Sequence, residues 1–375
     1  MTKRRLAGLP ADEFLSHYWR RRPLLARRAL PQHAALVRRE TLFELAERED
    51  LESRMVLRGG GRWRVRHGPF SRRDLARLPR AGWTLLVQGV ERALPEAWKL
   101  LQEFRFIPYW RLDDLMVSYA PAGGGVGPHF DSYDVFLLQG GGSRRWRVSQ
   151  QRDLALRDGA PLKLLRRFRP EQEWVLHPGD LLYLPPRCAH DGVALEDCIT
   201  YSIGFRVPCA QELGRRFLEY LQEHLRLAGS SADPRPAPAR RPARLEEAML
   251  RRAAALLGRI RWSGGDVVRF LGCYLTEPAP QVVFARPARP LSGRAFVARA
   301  QRAGLSLAPA TRMLYRGGAL FINGEQCTAG PAAARLLSAL ADRRSLAPRT
   351  RLDRESARRL YQWYRAGYIE LADVK

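Results

Sequence analysis

Lysine is almost missing from this chain. Lys3, Lys99, Lys163 and Lys375 are the only four among 375 residues, although Lys and Arg together number 64. The cations are therefore arginines, and such a bias reads as a property of the source rather than as designed sites. Acidic residues number only 38, which leaves a formal charge of +26. A surface of that sign attracts RNA, ribosomes or acidic partners over long range, and a diffuse solvated charge with no specific partner fits equally well. Cysteine is scarce too. Cys188, Cys198, Cys209, Cys273 and Cys327 are odd in number and form no Cys-x-x-Cys pair, which excludes a disulfide framework and a structural zinc pattern. A reducing cytosol suits them, so a cytoplasmic protein is expected. No apolar run reaches the length of a membrane span. Residues 1–5 have no apolar core behind them, so no secretory signal is expected.

The chain does contain ample apolar residues, 46%, spread over a length that implies two or three domains. Its chemistry concentrates in two stretches. Gly127-Pro128-His129-Phe130-Asp131-Ser132-Tyr133-Asp134 is the first, and Pro178-Gly179-Asp180 through Pro185-Pro186-Arg187-Cys188-Ala189-His190 is the second. In an extended segment residues i and i+2 face one side, so His129 and Asp131 can share a cavity while Phe130 turns into the wall. His190 follows 59 residues after Asp131, just past an apolar run that Pro185-Pro186 stops. Two imidazoles and one carboxylate with open positions are the ligand set of non-haem Fe(II) oxygenases. His-x-Asp alone is a weak signal, since it occurs by chance in many chains. The buried strand read over 135–139 and the tight turn at Pro178-Gly179 supply the context that strengthens it. The glycines of 121–127 are not a phosphate cradle, because no Gly-Lys-Ser/Thr and no helix start follow them.

Longer motifs carry a resemblance. Trp110-Arg111-Leu112-Asp113-Asp114-Leu115-Met116, Gly123-Gly124-Gly125-Val126-Gly127-Pro128-His129 and Tyr133-Asp134-Val135-Phe136 are three of them. Arg144-Arg145-Trp146-Arg147-Val148 and Tyr201-Ser202-Ile203-Gly204-Phe205-Arg206 are two more. Residues 112–206 resemble the JmjC (cupin-type) domain of 2-oxoglutarate/Fe(II) oxygenases, and within it the bacterial ribosomal oxygenases. The resemblance weakens after about residue 230. It implies an α+β fold: a double-stranded β-helix over 1–208 with N-terminal helices, a helical dimerisation region over 209–270, and a winged-helix-like domain over 271–375. It implies Fe(II), 2-oxoglutarate and O2 as cofactor and cosubstrates. His129, Asp131 and His190 become the metal ligands. Arg144 maps onto the family's 2-oxoglutarate arginine, with Arg145 as fallback, and Ser118 onto a position that assists cosubstrate binding. The substrate implied is an arginine of large-subunit ribosomal protein sixteen, hydroxylated at the β-carbon. Asp113, Asp114 and Asp134 are acids that would suit a guanidinium, and Tyr133 and Met116 could line the same pocket. Three alternatives remain: a histidyl hydroxylase of another ribosomal protein, a non-catalytic cupin module docking on RNA or the ribosome, and a cupin isomerase or dioxygenase acting on small molecules without 2-oxoglutarate. The homodimer and any ribosome or RNA contact are expectations of the same kind.

Beyond the barrel, apolar stripes at helical spacing predict helices over 211–227 and 245–260, separated by a proline-rich linker over 230–244. Asn323-Gly324 predicts a hairpin, with helices over 295–303, 331–340 and 356–364 around it.

Overall fold

The computed structural model describes residues 5–6, 8–60, 62–230 and 241–372. They form two compact units. One comprises Met1–Val207, Pro278–Thr311 and Ala339–Lys375; the other comprises Pro208–Glu277 and Arg312–Ser338.

The first unit opens with the short pair β1 (Arg5–Leu6) and β2 (Leu9–Pro10), then α1 (Ala11–His17). There follow β3 (Leu24–Ala26), α2 (Arg39–Ala46), β4 (Ser53–Gly59), β5 (Arg62–His67), α3 (Arg72–Ala76), β6 (Trp83–Val87) and α4 (Ala97–Gln102). The central strands are β7 (Leu112–Ala120), β8 (Asp134–Gly141), β9 (Arg144–Ser149), β10 (Gln172–Leu176), β11 (Leu181–Leu184), β12 (Ala189–Ala194) and β13 (Cys198–Phe205). Eight strands make one sheet in the order β3-β11-β8-β13-β7-β6-β4-β5, and β10-β9-β12 make a second.

Period-two alternation explains why β8 and β11 read as unbroken apolar runs, since both faces of the large sheet are covered. Phe136, Leu138, Leu181 and Tyr183 turn to the main core with α1, α2 and α4. Val135, Leu137, Leu182 and Leu184 turn the other way, to Trp146 and Val148 of the small sheet. The main core is centred on aromatic rings. Phe14 of α1 is fully buried, 4.9 Å from Tyr183 and 5.4 Å from Phe136 between ring centroids.

The expected barrel strands are present. One was not anticipated: His190 does not merely follow a strand but lies inside β12, whose small and polar residues hide its strand character. In the second unit, α5 (Ala210–His224), α6 (Glu247–Leu257) and α7 (Gly264–Thr276) follow one another. α6 is shorter than its stripe suggested. α7 went unread because Gly264-Gly265 opens it, although Ser263 caps it through a reciprocal bond with Asp266. Residues 231–240 of the expected linker lie outside the described residues. The chain continues through α8 (Gly293–Ala303), β14 (Leu305–Leu307), β15 (Met313–Arg316), β16 (Ala319–Ile322) and β17 (Glu325–Thr328). It ends with α9 (Pro331–Arg343), β18 (Ser345–Leu346), α10 (Arg354–Ala366) and β19 (Ile369–Leu371). β16 and β17 are joined by Asn323-Gly324, both at positive φ (49° and 86°), the turn that this dipeptide favours. Among the described residues no helix is long and apolar enough to cross a membrane.

Replacing Phe14 by Ala should cost about 3–5 kcal/mol of unfolding free energy in urea titrations. A loss under about 1 kcal/mol would remove this ring from the centre of the core.

Candidate active site

The loop between β7 and β8 carries His129 and Asp131, and β12 carries His190. The loop is held by its backbone. The His129 N–H donates to the His190 carbonyl at 2.9 Å, and the His190 N–H returns a bond to the His129 carbonyl at 2.8 Å. The Asp131 carbonyl accepts from the Arg187 N–H at 2.7 Å. Gly127 has a positive φ of 80°, and a Cβ there would stand 2.7 Å from the Trp63 ring and 2.8 Å from Leu164, so the loop passes only as glycine.

These bonds bring the three side chains together. One ligand atom from each of His129, Asp131 and His190 lies within 4.8 Å of the others. Both imidazoles are oriented alike. Nδ1 of His129 donates to the Gly127 carbonyl at 2.8 Å, and Nδ1 of His190 donates to the Cys188 carbonyl at 2.9 Å. A carbonyl can only accept, so the proton sits on Nδ1 in each ring and the Nε2 lone pair is left for a metal. His190 Nε2 is 3.7 Å from the Asp131 carboxylate. Cys188 is no ligand: its thiol points to the Ser149 carbonyl, and burial, then Glu171, pushes it up to about 12.

The three residues open into a cavity of about 430 Å³ between the two sheets. Arg144, on β9, lines it with its residue only 4% exposed. Its Nε reaches Cys198 Sγ at 3.5 Å, and its Nη2 is buried with no hydrogen-bond partner among the described residues. Arg145 is half-buried and does not line the cavity, as strand alternation requires. Ser118 is buried on the same wall, its hydroxyl 3.5 Å from the Thr200 carbonyl. Tyr133 and Met116 also line the cavity. Asp113, Asp114 and Asp134 are not among its lining residues. Asp134 accepts a 2.5 Å bond from the Tyr183 hydroxyl, and Asp114 accepts from the Gly89 N–H. Burial, then Glu91 and Asp113, holds the Asp114 carboxyl well above the ordinary carboxylate range. Burial, then Asp131, Asp114 and Asp113, raises the Tyr133 phenol.

Several lining residues escaped the sequence reading. Arg54, Thr84, Trp146, Lys163 and Thr200 all line the cavity. Arg54 Nε, Thr84 Oγ1 and Trp146 Nε1 are buried without a partner among the described residues. Polar residues at alternate strand positions, such as Ser118 on β7 with Thr200 and Ser202 on β13, were the available signal.

A two-sheet barrel with two imidazoles and a carboxylate at its mouth, beside a buried guanidinium, has the build of cupin-fold proteins with a facial metal triad. Residues 99–213 match the JmjC domain family, and residues 260–370 match the ROXA-like winged helix. The "Ribosomal protein uL16 3-hydroxylase" of Escherichia coli (strain K12) is 38% identical over 234 residues, 62% of this chain and 62% of that protein. The "Probable ribosomal oxygenase" of Haemophilus influenzae is 44% identical over 200 residues, 52% of this chain. The chain thus spans 62% and 49% of the lengths of these curated relatives. The X-ray structure of E. coli YcfD superposes with a TM-score of 0.84 at 30% identity, covering 96% of this chain and 98% of that one. A second YcfD structure, described as a ribosomal oxygenase in complex with cobalt and 2-oxoglutarate, gives a TM-score of 0.79. The chain belongs to the JmjC-domain ribosomal oxygenases, and it shares their cupin fold and C-terminal winged helix.

Burial, then the neighbouring His129, lowers the His190 imidazole from 6.5 to about 4. A histidine depressed in the folded state stabilises the fold above its unfolded pKa and loses that contribution as pH falls. Metal-free protein should therefore lose about 3 kcal/mol more than a His190→Asn variant between pH ~6.5 and ~4 in urea titrations. Parallel pH curves would mean that the ring is solvated.

Proposed function

We propose that this chain is a 2-oxoglutarate- and Fe(II)-dependent oxygenase that hydroxylates a ribosomal protein, with an arginine β-carbon of uL16 as the target. The observation that carries the reading is the buried Arg144 guanidinium, whose Nη2 has no partner among the described residues, in one cavity with three converging metal donors. An unpaired buried cation is costly, and a dicarboxylate bound beneath the metal would satisfy it in a two-point fork.

The donor set fits Fe(II): neutral nitrogen, carboxylate oxygen and room for further ligands. Bound iron would supply the oxygen activation, at the expense of 2-oxoglutarate, that hydroxylating a C–H bond needs. The chain's own residues do the rest. The Gly127 and Cys188 carbonyls hold His129 and His190 in the ligating tautomer. Arg144 takes the far carboxylate of 2-oxoglutarate, with Ser118 contributing a hydroxyl. Val135, Leu137 and Trp146 make an apolar wall that excludes water from the reacting carbon. Tyr133 and Met116 line the same cavity and would flank an incoming substrate side chain. The name of the E. coli relative, a 3-hydroxylase of uL16, supports that protein and a β-carbon as the target, since carbon three of an amino acid is its β-carbon.

The exposed apolar residues Leu218, Leu245, Leu257 and Trp262 on and around α5 and α6 support a homodimer in which a second copy covers them. Light scattering should then give a dimer mass for the wild type and a monomer mass for Leu218→Glu/Leu257→Glu. A monomeric wild type would sink the dimer.

Incubation of ribosomal proteins with the enzyme, Fe(II), ascorbate and 2-oxoglutarate in air should add one oxygen atom to a uL16 arginine by mass spectrometry, with Asp131→Ala inactive. Oxygen on a histidine of another protein would replace the substrate, and no succinate formation at all would sink the oxygenase. Arg144→Ala should raise KM for 2-oxoglutarate roughly 10- to 100-fold, the loss expected for one or two charge-assisted bonds. An unchanged KM would remove Arg144 from this role.

A further inference from the structure

The positive charge is not evenly distributed. The thirty residues from Ser53 to Gly82 hold nine arginines and one acid, Asp74. They build β4, β5, α3 and the loop that follows. β5 is the edge strand of the large sheet. Arg62, Arg64 and Arg66 alternate along it with Trp63, Val65 and His67, so three arginine side chains leave one face from Cα atoms about 6.7 Å apart. α3 adds Arg72 and Arg73, and Arg77 follows as its C-cap. Arg66 binds Asp74 at 2.8 Å, which ties α3 to β5, and Arg72 reaches Glu47 at 3.4 Å. Arg58, Arg62, Arg64, Arg73, Arg77 and Arg80 are exposed and have no carboxylate partner among the described residues.

Two ordinary explanations fall short. Charge on an edge strand prevents sheet-to-sheet aggregation, but the arginines of α3 and its loop are not on the edge. A merely solvated face mixes signs, as α5 does by pairing Arg215 and Arg216 with Glu219. We infer that the β5–α3 face docks the phosphate backbone of RNA. A row of guanidinium groups at regular spacing calls for a regular row of anions, which a phosphodiester chain provides and an acidic peptide surface does not. None of the exposed large hydrophobic residues falls in this segment, so it has nothing to insert into a bilayer. It also contains no Asn or Gln to read adenine edges, and the contact inferred for its arginines is with the phosphate backbone. The inference rests on charge and placement alone and does not require the oxygenase reading.

The test is fluorescence anisotropy of a labelled single-stranded RNA oligonucleotide with the full-length protein over a series of salt concentrations. Arg62→Gln/Arg64→Gln/Arg73→Gln should reduce the slope of log affinity against log salt by about 2, near 0.7 per lost phosphate contact. Lysine at the same three positions should retain the wild-type slope. Arg286→Gln/Arg289→Gln/Arg294→Gln removes equal charge from exposed positions of the same unit and should leave the slope nearly unchanged. An equal loss in this control would make the charge diffuse and overturn the proposal. So would binding of RNA no tighter than that of phosphatidylserine vesicles or a poly-glutamate peptide. The triple Gln variant should hydroxylate its substrate at the wild-type rate. Patch-dependent RNA binding with no turnover in any variant would defeat the oxygenase reading and leave this one standing.

Discussion

Two backbone hydrogen bonds, exchanged between His129 and His190, are what the site depends on. Neither residue belongs to the other's sheet neighbourhood by sequence. Their mutual bridge clamps a glycine-rich loop onto β12 and leaves the two rings 4.2 Å apart between centroids. The same local device then serves both rings, a carbonyl two residues earlier that accepts from Nδ1. The Nε2 atoms of both rings are thus turned toward Asp131 and the cavity by main-chain geometry. The side chains need only be of the right kind.

The cavity beyond the bridge is lined with hydrogen-bond donors that no protein group among the described residues takes up. Arg144, Thr84 and Trp146 each present a buried donor with no partner among the described residues. A buried donor left with no partner of any kind would cost about 1–3 kcal/mol, so each of these is a place for a bound group or a water to bond. The double-sided packing of the large sheet, with Phe14 and its neighbouring rings on one face and Trp146 on the other, holds the walls that carry these donors. The donors are therefore already in position before anything binds, which is how a protein avoids reorganising during a reaction.

The barrel was legible in the sequence because its strands are apolar on both faces and punctuated by Pro and Gly. His129, Asp131 and His190 were legible as a cluster because ligand chemistry restricts residue type, whereas Arg144 was singled out by the family resemblance, alternation leaving Arg145 as the other choice. β12 was not, since Ala189-His190-Asp191-Gly192 has no apolar alternation. Its Gly192 is there because a Cβ would strike the Trp146 ring at 2.6 Å. The lining roles of Arg54 and Thr84 were hidden for another reason. Strands read one at a time do not reveal which of their faces encloses a space. Asp113, Asp114 and Asp134 show the converse: residues chosen for charge proved to be bonded into the frame or set behind the cavity wall rather than lining it.

The edge formed by β5 and α3 has one further property. Its cations are all arginine, and guanidinium keeps its proton across the whole physiological range and is not a target for acetyl transfer as an amine is. A lysine-built surface can be silenced residue by residue. Here the field is permanent, and only the surrounding ions can weaken it, so whatever meets this edge is governed by competition and ionic strength rather than by a chemical switch on the protein.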